Sequence, residues 1–100
     1  MSRTSNKIIQ ENALRMLMFI SQEASRSRKH VAPLSYRQMA CRLGLSIQQV
    51  RFLIMRLEDE ELVETTPRYA EDGGRLANGY ALTSRGRMLL RESRKLEAVL

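Results

Sequence analysis

The chain has 100 residues, enough for one small domain with a modest core and short of the size that usually adds a catalytic cleft. Its 17 Lys and Arg against 11 Asp and Glu give a net charge of +6, which favours a polyanionic partner such as nucleic acid. One cysteine and one histidine exclude an intramolecular disulfide and leave no ligand set for a structural zinc, so neither a metal nor a cofactor is expected.

The charge is uneven along the chain. Residues 1–34 carry six Lys/Arg against two acids and residues 85–100 carry five against two, whereas 35–66 carry four against five. No apolar run approaches a membrane span and the N-terminus lacks a signal-peptide core, so a cytoplasmic protein without membrane contact is expected.

The first predicted element is a helix over about 7–24, capped from Thr4, Ser5 or Asn6, with Ile9, Ala13, Met16, Leu17 and Ile20 on one stripe. Leu14, Met18 and Phe19 fall off that stripe, so the helix is apolar most of the way round. Two arrangements satisfy such a helix: a contact with a second subunit, which the reading favours, or a position between two other helices of the same chain. A basic segment follows, in which Arg26, Arg28, Lys29 and His30 are candidate phosphate ligands. Val31 to Leu34 is short, partly β-branched and interrupted by Pro33, which suits a brief edge strand.

From Leu34 to Val63 the pattern is that of two helices joined by a tight turn. Ser35 with Gln38, and Ser46 with Gln49, have capping-box spacing, and Leu43-Gly44-Leu45 supplies a helix stop between them. This is the grammar of a helix-turn-helix over about 35–60. The first of these helices turns Met39, Ala40 and Leu43 inward, and Arg37 faces out as a phosphate candidate. The second buries Val50, Leu53, Ile54 and Leu57 and presents Gln48, Gln49, Arg51, Phe52 and Met55, a set with hydrogen-bonding and methyl-contacting chemistry for base edges. Arg56 is a further phosphate candidate. The acidic run Glu58 to Glu61 would repel phosphate and should point away from it. Cys41 is expected to be a packing or lightly exposed thiol, since no base is placed to activate it.

A hairpin is expected over about 62–83, with turn signals at Asp72-Gly73-Gly74 and Asn78-Gly79 and with Arg68 and Arg75 on its arms or tip as phosphate candidates. Asp72-Gly73-Gly74 lacks the strand, Lys and Ser/Thr context of a phosphate-binding P-loop. A last helix over about 85–99 begins after Thr83 or Ser84, admits a close neighbour at Gly86, and carries Met88, Leu89, Leu96, Val99 and Leu100 as apolar members.

The order helix, short strand, helix-turn-helix, hairpin, helix resembles the winged helix-turn-helix superfamily over nearly the whole chain. LGLSIQQVRFLIMRLEDEELV and GYALTSRGRMLL are similar to the recognition-helix and wing-to-last-helix segments of MarR-like and PadR-like regulators. The wing text also resembles winged helices of plasmid and phage replication or accessory proteins. One departure is Glu61, where MarR-like proteins usually have glycine. Another is the lack of the extra helices that build their ligand cavity, so no small-molecule effector is expected.

The resemblance implies one mainly α domain over 1–100 with a small β-hairpin as its wing, N- and C-terminal helices around it, and Gln48, Gln49, Arg51, Phe52 and Met55 as base-contacting candidates. Double-stranded DNA is the expected partner and a homodimer on an inverted repeat the expected assembly, with Leu14, Met18, Phe19, Leu89, Leu96 and Leu100 as interface candidates. A module that binds protein through Phe52 and Met55 is the alternative. An enzyme is not expected, because no acid, base and nucleophile converge by spacing.

Overall fold

The computed structural model describes the backbone of residues 6–99 and the side chains of residues 11–94. Thr4, Ser5 and Leu100, and the side chains of Ile9, Leu96 and Val99, lie outside the described residues. The elements are α1 (Asn6–Ser25), β1 (Ala32–Pro33), α2 (Tyr36–Leu43), α3 (Ile47–Asp59), β2 (Val63–Tyr69), β3 (Arg75–Leu82) and α4 (Ser84–Val99). The fold is mainly helical with a small antiparallel sheet of strand order β1-β3-β2.

Both capping boxes form. Gln38 N–H donates to Ser35 Oγ at 3.1 Å and Ser35 N–H to Gln38 Oε1 at 2.8 Å, and the same reciprocal pair joins Ser46 and Gln49 at 3.0 and 2.8 Å. Each box satisfies helix N–H groups that have no partner in their own helix, so α2 and α3 have defined starts. α2 stops at Gly44, which adopts φ +69°, and Leu45 N–H then reaches back to Ala40 O at 3.0 Å. Arg15 of α1 adds a cation there, donating to Leu43 O at 2.6 Å.

α3 ends in the same motif without glycine. Glu61 holds φ +60° while its N–H donates to Glu58 O and Leu62 N–H donates to Leu57 O. A side chain in this left-handed conformation is strained by roughly 1 to 2 kcal/mol. The Glu61 carbonyl is held in turn by the Thr83 hydroxyl at 2.6 Å, which ties the end of α3 to the end of β3.

Helix α1 touches α2, α3, α4, β1 and β3. Met16, Leu17, Phe19, Ile20 and Ala24 are buried, while Ala13, Leu14 and Met18 pack half-buried against the same core. Its apolar girth is therefore used within the chain, and Phe19 is corrected from an interface candidate to a core residue, with the Arg42 guanidinium 5.1 Å from its ring centroid. The inward faces expected of α2 and α3 are the ones observed: Met39, Ala40 and Leu43, and Val50, Leu53, Ile54 and Leu57.

The hairpin turns at residues 70–74, where Gly73 adopts φ +88° and Ala70 N–H donates to Gly74 O at 2.7 Å. Asn78-Gly79, expected to be a second turn, instead lies inside β3. It sits beside a register shift opposite Pro67, where a proline without an N–H suits an irregular ladder. Gly79 is buried beneath Val31, so a side chain there would collide with that residue.

Among the described residues of α4, Gly86 and Leu90 are buried, whereas Met88 and Leu89 are exposed. A Cβ at Gly86 would fall on the carbonyl oxygen of Leu62.

Among the described residues, Tyr80 of β3 is the largest fully buried side chain. Burial pushes its pKa up to about 12, and the side chains of Asn78 and Tyr36 lie beside its hydroxyl. The unfolded chain loses this proton near pH 10, so stability drawn from the protonated phenol is complete below pH 10 and is lost as the pH rises toward about 12.

Two expectations follow for denaturant unfolding. Glu61→Gly should raise stability by about 1 kcal/mol by relieving the left-handed strain, and Gly86→Ala should lower it by about 1 to 3 kcal/mol because backbone must move; equal effects of the two would contradict this packing. Wild type should lose stability steeply between about pH 10 and 12, and Tyr80→Phe should flatten that loss, whereas an unchanged profile would assign it to other groups.

Candidate nucleic-acid interface

The outward face of α3 is a mixed surface built on a rigid base. Gln48, Gln49, Arg51, Phe52 and Met55 are all exposed, and Ile47 joins them at the first position of the helix. Phe52 is 54% and Met55 56% exposed, high values for large apolar side chains on a helix whose opposite face is core. The Gln49 side chain has a structural task as well, since its Oε1 accepts the Ser46 N–H.

Arg51 lies with its guanidinium 5.9 Å from the Tyr36 ring centroid. Tyr36 opens α2 and is half-buried, and its hydroxyl meets the buried Tyr80 of β3. One aromatic ring thus couples the face of α3, the start of α2 and the sheet, and Arg37 is exposed next to it.

The wing arginines are braced on the wing itself. Arg75 donates to Asn78 Oδ1 at 2.6 Å and lies 5.7 Å from the ring centroid of Tyr69, and Arg68 donates to Ala77 O at 3.3 Å. Tyr69 is exposed near the tip.

The basic loop after α1 folds toward this wing. His30 takes φ +56° and donates its N–H to Ser27 O at 3.1 Å. Arg28 and Lys29 then line, with Arg68, Thr66 and Tyr69, a cleft of about 520 Å³ with no carboxylate among its lining residues. Arg26 differs, because it pairs with Glu23 at 3.3 Å on the surface.

Arg56 does not join the outward set. It is half-buried, pairs with Glu60 at 3.0 Å and lines a groove of about 430 Å³ with Ala13, Leu14, Leu17, Leu57, Leu62 and Leu89. At the far end of α3, Glu58, Glu61 and Glu64 cluster near Arg85 and Arg87, and Glu58 accepts the Thr65 hydroxyl. The acidic run is thereby anchored at the opposite end of the helix from Gln48 and Gln49.

Among the described residues, no group of three His, Cys, Asp or Glu is placed to hold a metal ion. No helix among them is long and apolar enough to cross a membrane. Cys41 is exposed on α2.

Sequence reasoning missed Arg15, Tyr36 and Tyr80 because their roles are fulfilled across long stretches of chain. Leu90 was findable: it stands four residues after Gly86, on the same helical face as the glycine that demands close approach.

No protein-family model matches the chain, and no curated protein does. Solved structures do match. A PadR-like transcriptional regulator from Bacillus cereus superposes with a TM-score of 0.69 at 19% identity, covering 94% of this chain and 88% of that one. A protein of Mycobacterium tuberculosis designated RV1404 matches with a TM-score of 0.65 at 25% identity, covering 88% of this chain and 54% of its own. An S. aureus MepR variant matches with a TM-score of 0.61 at 16% identity, covering 89% of this chain and 64% of its own. This chain thus spans about half to two thirds of the latter two. Four helices, a three-stranded antiparallel sheet and these superpositions together establish a winged helix-turn-helix fold.

Proposed function

We propose that the chain binds double-stranded DNA as a transcriptional regulator, with the outward face of α3 in the major groove. The observation that carries this reading is the face itself: two amides, a guanidinium and exposed apolar side chains stand on a helix held from behind by Val50, Leu53, Ile54 and Leu57. A base-reading surface needs such rigidity, because imprecise donors lose their directional advantage. Arg37, Arg75 and the basic cleft of Arg28, Lys29 and Arg68 supply phosphate contacts in this reading. The PadR-like regulator among the similar structures supports the regulatory role.

The assembly is a homodimer on an inverted repeat. Its support is the exposure of Met88 and Leu89 on α4 beside the apolar groove that Leu14 also lines. A second reading, a protein-binding module, draws on the exposure of Phe52 and Met55.

Titration with duplex DNA at several salt concentrations decides between the two readings. If about six to ten phosphates are neutralised per dimer, log K should fall against log salt with a slope of about −5 to −9. Arg51→Ala should cost roughly 1 to 3 kcal/mol on a preferred site and little on random DNA, while Arg28→Ala should weaken both alike. Sedimentation should give twice the 11.6 kDa chain mass, shifted toward monomer by Leu89→Glu. No binding at low salt would favour the protein-binding reading, and a wild-type monomer on a single non-palindromic site would remove the dimer.

A further inference from the structure

Around Gln49 the recognition face is short of free hydrogen-bond acceptors, and the cause is the N-terminal cap of α3. A glutamine grips adenine by accepting from N6 with its Oε1 and donating to N7 with its Nε2. In Gln49 the Oε1 is occupied by the Ser46 backbone N–H at 2.8 Å. That assignment is chemically forced, since a backbone N–H requires an acceptor opposite it. Turning the amide to grip adenine would open the capping box and strand a helix N–H. What the cap leaves unengaged is the Nε2 group, a pure donor. Arg51, exposed on the same helix, is also a pure donor.

Around these donors stand apolar side chains. Ile47 is 42% exposed, and Phe52 and Met55 more so. Phe52 lies three residues after Gln49 and Met55 three after Phe52, so the donor, the ring and the thioether follow one another along adjacent turns of the same surface. In the major groove, the base that combines an acceptor with an apolar group is thymine, whose O4 adjoins its C5-methyl. Guanine offers acceptors without a methyl, and the amino donors of adenine and cytosine find an acceptor on Gln48 but none on Arg51 or Phe52.

We infer that the Gln49–Phe52–Met55 stretch of α3 selects thymine, with the Gln49 Nε2 donating to O4 and Phe52, with Met55 beside it, covering the C5-methyl. The inference rests on the DNA-binding reading above and specifies the base class that the surface prefers. It also explains why large apolar side chains stand uncovered next to a basic face: the methyl groups of thymine are their burial partners. Covering a methyl group gives the exposed Phe52 ring an apolar contact in place of water.

The test uses the full chain and a duplex selected from a random pool, in which thymines are replaced one at a time by deoxyuridine. Deoxyuridine keeps O4 and base pairing and removes only the methyl. The expected result is a site with thymine under each recognition helix, at which deoxyuridine weakens binding about fourfold per contacted methyl. Phe52→Ala should erase that difference at one thymine while retaining the wild-type melting temperature, because the side chain is exposed. Gln49→Glu keeps an acceptor for the Ser46 N–H and removes the donor. It should retain the fold and lose preference at the same position.

A selected site at which every deoxyuridine duplex binds like its thymine parent overturns the inference and leaves the DNA-binding reading standing. Absence of duplex binding overturns both. Retention of the deoxyuridine difference in Phe52→Ala assigns the methyl contact to another side chain and overturns the role given to Phe52.

Discussion

The turn at Gly44 is the constraint on which the remaining arrangement depends. α2 can stop there because glycine accepts φ +69°, and α3 can start two residues later because Ser46 and Gln49 satisfy its first N–H groups. The angle between the helices is then held by packing: Leu45 is partly buried against the core, and Ala40 leaves room for the crossing. α1 locks the turn from outside through the Arg15 bond to Leu43 O, and the Arg42 guanidinium over Phe19 adds a second contact between α1 and α2. Because α1 also packs on the sheet and on α4, the turn, the wing and the last helix share one core.

That shared core orders the electrostatics. The N-terminal half of α3 carries Gln48, Gln49 and Arg51 on its exposed side, and its end carries Glu58, Asp59, Glu60 and Glu61. The acidic end is not left to oppose a polyanion. Arg56 pairs with Glu60, Glu58 accepts the Thr65 hydroxyl, and Arg85 and Arg87 lie near Glu61 and Glu64. Such surface pairs add little stability individually, yet they restrict where negative charge lies. Besides Arg51, further exposed cations come from separate places in the chain, among them the loop after α1, the start of α2 and the wing. Only the fold gathers Arg28, Lys29 and Arg68 around one cleft.

Much of this was legible in the sequence, and the reasons are local. Capping boxes, the Gly44 stop and the inward faces of α2 and α3 depend on spacings of three or four residues, which a helix converts directly into position. The Tyr36 to Tyr80 contact and the Arg15 bond to Leu43 were not legible, because they join residues that only the tertiary fold brings together. Asn78-Gly79 misled for a related reason: the dipeptide has turn chemistry, and here the close cover of Val31 over β3 uses the same absence of a side chain. The apolar girth of α1 was legible and its meaning was ambiguous. Five elements packed around the helix account for it, which leaves α4 to support the proposed assembly. Within the candidate site, exposure followed from helical periodicity, whereas the occupied Oε1 of Gln49 required the geometry of the cap.

In the proposed function the exposed side of α3, and not the groove between α1 and α4, meets the partner. Backbone amide chemical shifts of nitrogen-labelled protein during titration with a short duplex report this residue by residue. The largest changes are expected at Gln48 to Met55, with smaller ones at Arg37, at Arg75 in the wing and at Arg28 and Lys29. Changes centred on Leu14, Arg56 and Leu89, with Gln48 to Phe52 unmoved, would contradict it.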